Sequence, residues 1–339
     1  MYSWSEDTSD WYGSGSYSYA EAGGGARAQA AAAEAASGPR TYAHKTAPNP
    51  TLIDPHKKIT THSAHPIIVA VDVTGSMANW PFEIFDRLPL LYNTLSQYKE
   101  DVEICFAAIG DAGVDRWPLQ VTDFAHGYDL EQQLNALYGE GGGGDAPESY
   151  GLFAWWVENH VTTPNANYPF LIVFGDAPMH AKIPRAQVAK VLGDQPENAG
   201  LLARIFGSPT GEGFDAVECW HRVTARWNTW FLRRPTGRKG DEVDQQWAAA
   251  LGPEKVFHID DEQRAVDYAM GLVARSWGRF EDFQSNLRAR QDEGKVKAVA
   301  EKLRQEGPRV LQCPSCGAKI PPEAMGRYTC TFCHSTLEL

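Results

Sequence analysis

The sequence predicts an α/β protein: a doubly wound, mostly parallel six-stranded sheet flanked by helices, with a small C-terminal zinc ribbon. Two observations predict the sheet. Short apolar runs alternate with stretches of helical period from about residue 60 to 277, the pattern of a parallel sheet with crossover helices. The run 66–72 is also apolar throughout, as in a strand covered on both faces. The ribbon rests on a third observation, two Cys-x-x-Cys pairs close to the C-terminus.

The strands expected in order are 66–72, 101–110, 118–124, 168–175, 201–207 and 255–260. Between them, 82–98, 130–138, 149–161, 216–227, 241–251 and 262–277 carry apolar residues at three- and four-residue spacing. Before the sheet, residues 1–58 form a Ser, Tyr, Gly and Ala-rich tail whose composition cannot bury enough apolar surface to offset ordering entropy, so disorder is expected there. After it, 278–309 reads as a charged helical spacer with a thin apolar stripe at Val296, Val299 and Leu303. The ribbon is 310–339.

A net charge of −12 over 339 residues disfavours sequence-independent nucleic-acid binding, which draws its affinity from Lys and Arg on phosphates. No apolar run reaches the roughly 18 residues a membrane helix needs. The N-terminus lacks the apolar core of a secretory signal, so a reducing cytoplasm is the expected compartment. Cys105 and Cys219, alone in apolar surroundings, read as buried inert thiols.

In the ribbon, Cys313 and Cys316 form one knuckle and Cys330 and Cys333 the other. Four thiolates suit one tetrahedral Zn²⁺, whose binding supplies the folding energy that so small a module lacks. His334 could replace one thiolate, but four already close the site and leave no position for catalysis. Basic and acidic residues nearly balance over 281–339, so protein contact or a structural role is expected of the ribbon.

The strand 66–72 runs into Asp72, Thr74, Gly75 and Ser76. At the carboxyl end of a parallel strand, where ligands bind, a carboxylate and two hydroxyls offer oxygen donors suited to a hard cation such as Mg²⁺. A second apolar strand ends in Asp176, and the glycine run 141–144 leads to Asp145. With these residues assembled, the span 60–277 resembles a von Willebrand factor A domain. "DVTGSM" resembles its metal-ion-dependent adhesion site, usually Asp-x-Ser-x-Ser, with Thr74 in place of the first Ser. The resemblance implies that Asp72, Thr74, Ser76 and Asp176 hold Mg²⁺, or Mn²⁺ or Ca²⁺. The family's loop Thr has no match in "GGGGDAPES", and its role is carried onto Asp145, with Ser149 as second choice.

The resemblance further implies a non-enzymatic interaction module whose metal is completed by an Asp or Glu of a partner protein. The motifs "GDAGVDRWPLQVTDF", "GGGGDAPES" and "GDAPMH" are similar to a bacterial and protist branch that includes domains attached to alpha-kinases. Relatives with a zinc ribbon accompany MoxR-type AAA ATPases, so a partner such as that ATPase, or a kinase or phosphatase of the same system, is implied.

Two rival readings remain. In segment 220–239, Trp220, Trp227, Trp230 and Phe231 interleave with Arg222, Arg226, Arg233 and Arg234, as in a nucleic-acid adaptor that would also use the ribbon. The spacing of Trp220, Val223, Trp227 and Trp230 instead suits the core face of one helix. A Mg²⁺-dependent hydrolase would need a nucleophile paired with a base, and none is evident. His56, His62 and His65 are unevenly spaced and read as incidental.

Overall fold

The computed structural model of the chain describes residues 49–78, 80–139, 147–194, 213–234, 240–308, 310–321, 324 and 326–338. They fall into two compact units, residues 49–85 with 101–260, and residues 86–100 with 261–338. The expected strand 201–207, and the tail as far as residue 48, lie outside the described residues. Among the described residues no helix is long and apolar enough to cross a membrane.

Chain order is β1 (Ile59–Thr60), β2 (His65–Asp72), α1 (Trp80–Leu95), β3 (Val102–Ile109), β4 (Leu119–Val121), α2 (Asp129–Ala136) and α3 (Tyr150–His160). Then come β5 (Val161–Thr162), β6 (Phe170–Gly175), β7 (Lys182–Ile183), α4 (Arg185–Leu192), β8 (Phe214–Asp215), α5 (Ala216–Thr224) and β9 (Asn228–Arg233). α6 (Gly240–Leu251), β10 (Val256–His258), α7 (Ala265–Ser276), α8 (Phe280–Arg288), α9 (Glu293–Glu306), β11 (Arg327–Thr329) and β12 (Thr336–Glu338) complete the order.

The main sheet has six strands in the order β10, β9, β6, β2, β3, β4. All neighbours are parallel except β3 and β4. From β2 the chain steps outward to β3 and β4, then restarts at β6 on the other side of β2 and continues to β9 and β10. This reversal beside β2 is the switch point at which an open α/β sheet forms a crevice beyond its strand ends.

Side chains alternate across the sheet, as the strand period demands. Ile68, Ala70, Cys105, Ala107, Leu171, Val173 and Phe231 face one side, in a core shared with Trp156 of α3, Trp220 of α5 and Trp247 of α6. Phe231 stacks on Trp247 at 3.9 Å between ring centroids, a contact that adds about 0.5–1.5 kcal/mol to the area buried. Cys105 and Cys219 are free and buried. A Cβ on Gly151 of α3 would lie 2.8 Å from the Ala216 Cβ, so glycine lets α3 and α5 touch.

The expected helix through Trp230 is corrected. Asp215 caps α5 by accepting from the Glu218 amide at 3.1 Å, and the helix ends at Thr224. Trp230, Phe231 and Leu232 instead lie in β9, paired with Ile172, Val173 and Phe174 of β6. Aromatic and β-branched residues after Trp227 fit a pleated, buried surface, and a strand inside the sheet outweighs a helical period that the same residues also satisfy.

In the second unit, α7 is nearly buried throughout. At Gly271 a Cβ would lie 2.2 Å from Leu303 and 3.0 Å from Phe283, so α8 and α9 approach α7 at its glycine. The stripe Val296, Val299 and Leu303 is buried. Buried Asp267 of α7 accepts from Arg264 at 3.1 Å and Gln291 at 3.0 Å. The ribbon follows, its chain tied to the end of α7 by the Leu311 amide donating to the Ser276 carbonyl at 2.8 Å.

Candidate metal centres

Asp72 closes β2 at the switch point with no exposed surface. Its Oδ1 accepts from the Thr74 amide at 2.9 Å and the Thr74 hydroxyl at 2.6 Å. Its Oδ2 accepts from the Tyr150 hydroxyl. Thr74 Oγ1 lies 3.4 Å from Ser76 Oγ, and Ser76 donates to Asp176 Oδ1 at 2.8 Å. Four of the sequence-predicted residues therefore form one row of oxygen atoms, buried at Asp72 and exposed at Ser76.

Each loop has its own support. Arg234 donates from Nη1 to the carbonyls of Ser76 at 3.1 Å and Met77 at 2.7 Å, holding the turn after Thr74. The loop after Asp176 is fastened to α6, where the Trp247 indole donates to the Ala177 carbonyl at 3.1 Å. Gln246 bonds both backbone groups of Met179, at 2.7 and 2.8 Å.

Sequence reasoning missed four members of this neighbourhood. Glu148, 3% exposed, has a carboxylate oxygen with no hydrogen-bond partner. Asp111 follows β3 and accepts from the Gly113 amide at 2.9 Å, with His180 Nε2 at 3.3 Å. Asp115 accepts from the Asp111 amide at 2.7 Å. Tyr150 opens α3. Ser149 is directed elsewhere, accepting from the Ala112 amide at 2.9 Å, and Asp145 lies outside the described residues.

Burial pushes the Asp72 carboxyl up to about 7, against the lowering effect of the Thr74 and Tyr150 hydrogen bonds, and nearby Asp176 adds to the rise. Burial likewise raises Glu148 to about 8, reinforced by Asp72 and Asp111. Tyr150 is raised well above its usual value by burial and by Asp72. Two buried carboxylates with disfavoured charge, one keeping an unpartnered oxygen, are an environment that a hard cation would relieve. The donor set is all oxygen, which fits Mg²⁺, Mn²⁺ or Ca²⁺.

The second centre is the ribbon. Among the described residues, Cys313, Cys316, Cys330 and Cys333 form the one set of three or more His, Cys, Asp or Glu side chains whose ligand atoms all lie within 4.8 Å of one another. Cys313 and Cys333 sulfurs are 3.6 Å apart, as are those of Cys316 and Cys330. A Zn–S bond of about 2.3 Å places tetrahedral sulfurs about 3.8 Å apart, so the spacing fits a metal and is too long for a disulfide. The two knuckles repeat one geometry: the Gly317 amide donates to the Cys313 carbonyl at 2.7 Å and the His334 amide to that of Cys330 at 3.0 Å. Gly317 and His334 occupy matching left-handed positions, with φ of 72° and 61°. His334 thus turns the second knuckle.

Comparison with known proteins gives three findings. Residues 310–339 match the family described as "Domain of unknown function (DUF8512)". No curated protein matches the sequence. Similar solved structures include the pilus adhesin SpaC from Lactobacillus rhamnosus GG, with a TM-score of 0.44 and 13% identity, covering 67% of this chain and 31% of that one. Proximal thread matrix protein 1 from the mussel byssus has a TM-score of 0.43 and 11% identity, covering 65% of this chain and 48% of that one. A von Willebrand factor type A structure from Catenulispora acidiphila has a TM-score of 0.38 and 14% identity, covering 63% and 42%. The chain thus spans less than half the length of each.

Proposed function

We propose that this chain is a metal-dependent protein-interaction module. Asp72, Thr74, Ser76 and Asp176 hold Mg²⁺, or Mn²⁺ or Ca²⁺, and a partner's Asp or Glu fills the outward coordination position. The observation that carries this reading is the unbroken row from buried Asp72 through Thr74 and Ser76 to Asp176 at the sheet's switch point. Glu148 joins the ligand set, directly or through a metal-bound water, and Asp145 belongs to the same proposed set. The ribbon binds Zn²⁺ as a scaffold or second contact. A MoxR-type ATPase, or a kinase or phosphatase of the same system, is the partner class to test.

The nucleic-acid adaptor is the weaker reading, because Trp220, Trp227, Trp230 and Phe231 are each at most 2% exposed and offer no face for base stacking.

The test is titration calorimetry with Mn²⁺ on the full chain and on Asp72→Ala, followed by partner capture with Mg²⁺ or EDTA. The expected result is an at least hundredfold loss of Mn²⁺ affinity in the variant, and a partner lost with both the variant and EDTA. Unchanged Mn²⁺ affinity in the variant would overturn the reading.

A further inference from the structure

The six cysteines divide into two chemical classes. Cys105 and Cys219 are buried in the first unit, and burial pushes their thiols up to about 12 and about 11. Thiols held protonated in this way are poor nucleophiles. In the ribbon, Cys313 and Cys330 are buried, whereas Cys316 and Cys333 are exposed.

Each knuckle therefore has one open and one covered cysteine. The first knuckle is seated on the helices of its unit, where Arg279 Nη2 donates to the Pro314 carbonyl at 3.2 Å and the Leu311 amide holds the Ser276 carbonyl. The second faces water along residues 331–334, with Phe332 76% exposed. The close sulfur pairs cross between the knuckles. Exposed Cys333 lies 3.6 Å from buried Cys313, and exposed Cys316 lies 3.6 Å from buried Cys330. An accessible thiolate beside a second cysteine is the arrangement in which a first oxidation is resolved to a disulfide, and a thiol that coordinates a metal is deprotonated outright.

We propose that the ribbon is a site of oxidative modification by hydroperoxides, which join Cys333 to Cys313 and Cys316 to Cys330 and release the metal. The inference rests on the zinc reading of the ribbon given above. In the first step an exposed thiolate attacks one peroxide oxygen, the O–O bond breaks and hydroxide leaves, giving a sulfenic acid. In the second, the neighbouring thiolate attacks that sulfur, the S–O bond breaks and another hydroxide leaves, giving the disulfide. Two thiolates lose two electrons and one peroxide gains them, so two peroxides convert all four thiolates and leave Zn²⁺ without ligands. Links between the knuckles take over the metal's cross-linking role, and they constrain the chain more than a link closing the short loop of a single knuckle.

The test uses the full-length, zinc-loaded protein with hydrogen peroxide as the probe. Zinc is measured first in the untreated protein, where one ion per chain is expected. Peroxide should release that ion to a colorimetric chelator. Remaining thiols are then blocked in denaturant with N-ethylmaleimide and the chain is cut with trypsin, which cleaves after Arg309, Lys319 and Arg327 and so places each knuckle on its own peptide. Mass spectrometry should recover peptides 310–319 and 328–339 joined and free of maleimide, with Cys105 and Cys219 both alkylated. Dithiothreitol with added Zn²⁺ should restore one ion per chain. A zinc-free untreated protein would overturn the zinc reading and this inference with it. Zinc retained under peroxide, disulfides confined to single knuckles, sulfonic acids in place of disulfides, or oxidation of Cys105 and Cys219 alongside the ribbon would each overturn this inference alone.

Discussion

The Tyr150 hydroxyl donates to Asp72 Oδ2 through a space that exists because residue 175 is glycine. A Cβ on Gly175 would lie 2.2 Å from that hydroxyl and 2.9 Å from the Phe231 ring. The Tyr150 ring has little room to retreat, with Trp247 edge-on at 5.0 Å and Phe231 at 6.1 Å. Gly175→Ala should therefore force the tyrosine off the carboxylate and cost about 1–3 kcal/mol by overpacking. Tyr150→Phe removes the bond without the clash and should cost a comparable ~1–3 kcal/mol, because a buried carboxylate oxygen loses its donor. Urea denaturation of both variants checks this, and a neutral outcome for Gly175→Ala would contradict the packing described.

Metal binding and protons should compete. The folded-state values of Asp72 and Glu148, about 7 and about 8, lie above the ordinary values of 3.8 and 4.5. The folded state therefore binds more protons than the unfolded chain between those limits. Without metal, the stability these groups contribute is fully present below about pH 4 and is lost as pH rises through 7 to 8. A divalent cation replaces the protons, so melting temperature in EDTA should fall from pH 6 to pH 9 while Mg²⁺ flattens the curve. Calorimetry at pH 7 in buffers of different ionisation enthalpy should show proton release on Mn²⁺ binding.

The ribbon should depend on its metal. Chelation, or serine at Cys313, Cys316, Cys330 or Cys333, should abolish the stoichiometric zinc detected by a colorimetric release assay, because the module's folding energy is the binding energy of roughly 10–16 kcal/mol. Serine at Cys105 or Cys219, both buried outside this cluster, should leave the zinc content at one per chain.

Ala78 sits at φ 50° and ψ −122°, a conformation that glycine adopts without the Cβ clash. Ala78→Gly should stabilise the chain by up to about 1 kcal/mol, the strain relieved exceeding the added unfolded-state entropy. A thermal melt of the metal-free protein measures it.

The parallel core strands were legible because a strand covered on both faces is a short apolar run, and β2, β3 and β6 are buried almost throughout. Strand β9 was not, because Trp220, Val223, Trp227 and Trp230 satisfy a helical period by coincidence and only pairing with β6 reveals the break. At the site, Asp72, Thr74, Ser76 and Asp176 could be read because each stands at or just after a strand end. Glu148 could not, because a glycine run has no period that would show which of its neighbours faces the crevice. The one local signal was its place two residues before the apolar start of α3, where any inward side chain meets the end of β2.

Ser76 and Asp176 touch although one hundred residues separate them. Between them the chain runs through β3 and β4 on one side of β2, crosses back, and lays β6 on the other. A partly folded chain holding only β2, β3 and β4 would have Asp72, Thr74 and Ser76 but not Asp176, which follows β6. Under the proposed function, affinity for the cation would belong to finished molecules alone. By mass action an ion bound there would withdraw those molecules from the unfolding equilibrium, and the row would serve as a quality mark for a completed central sheet.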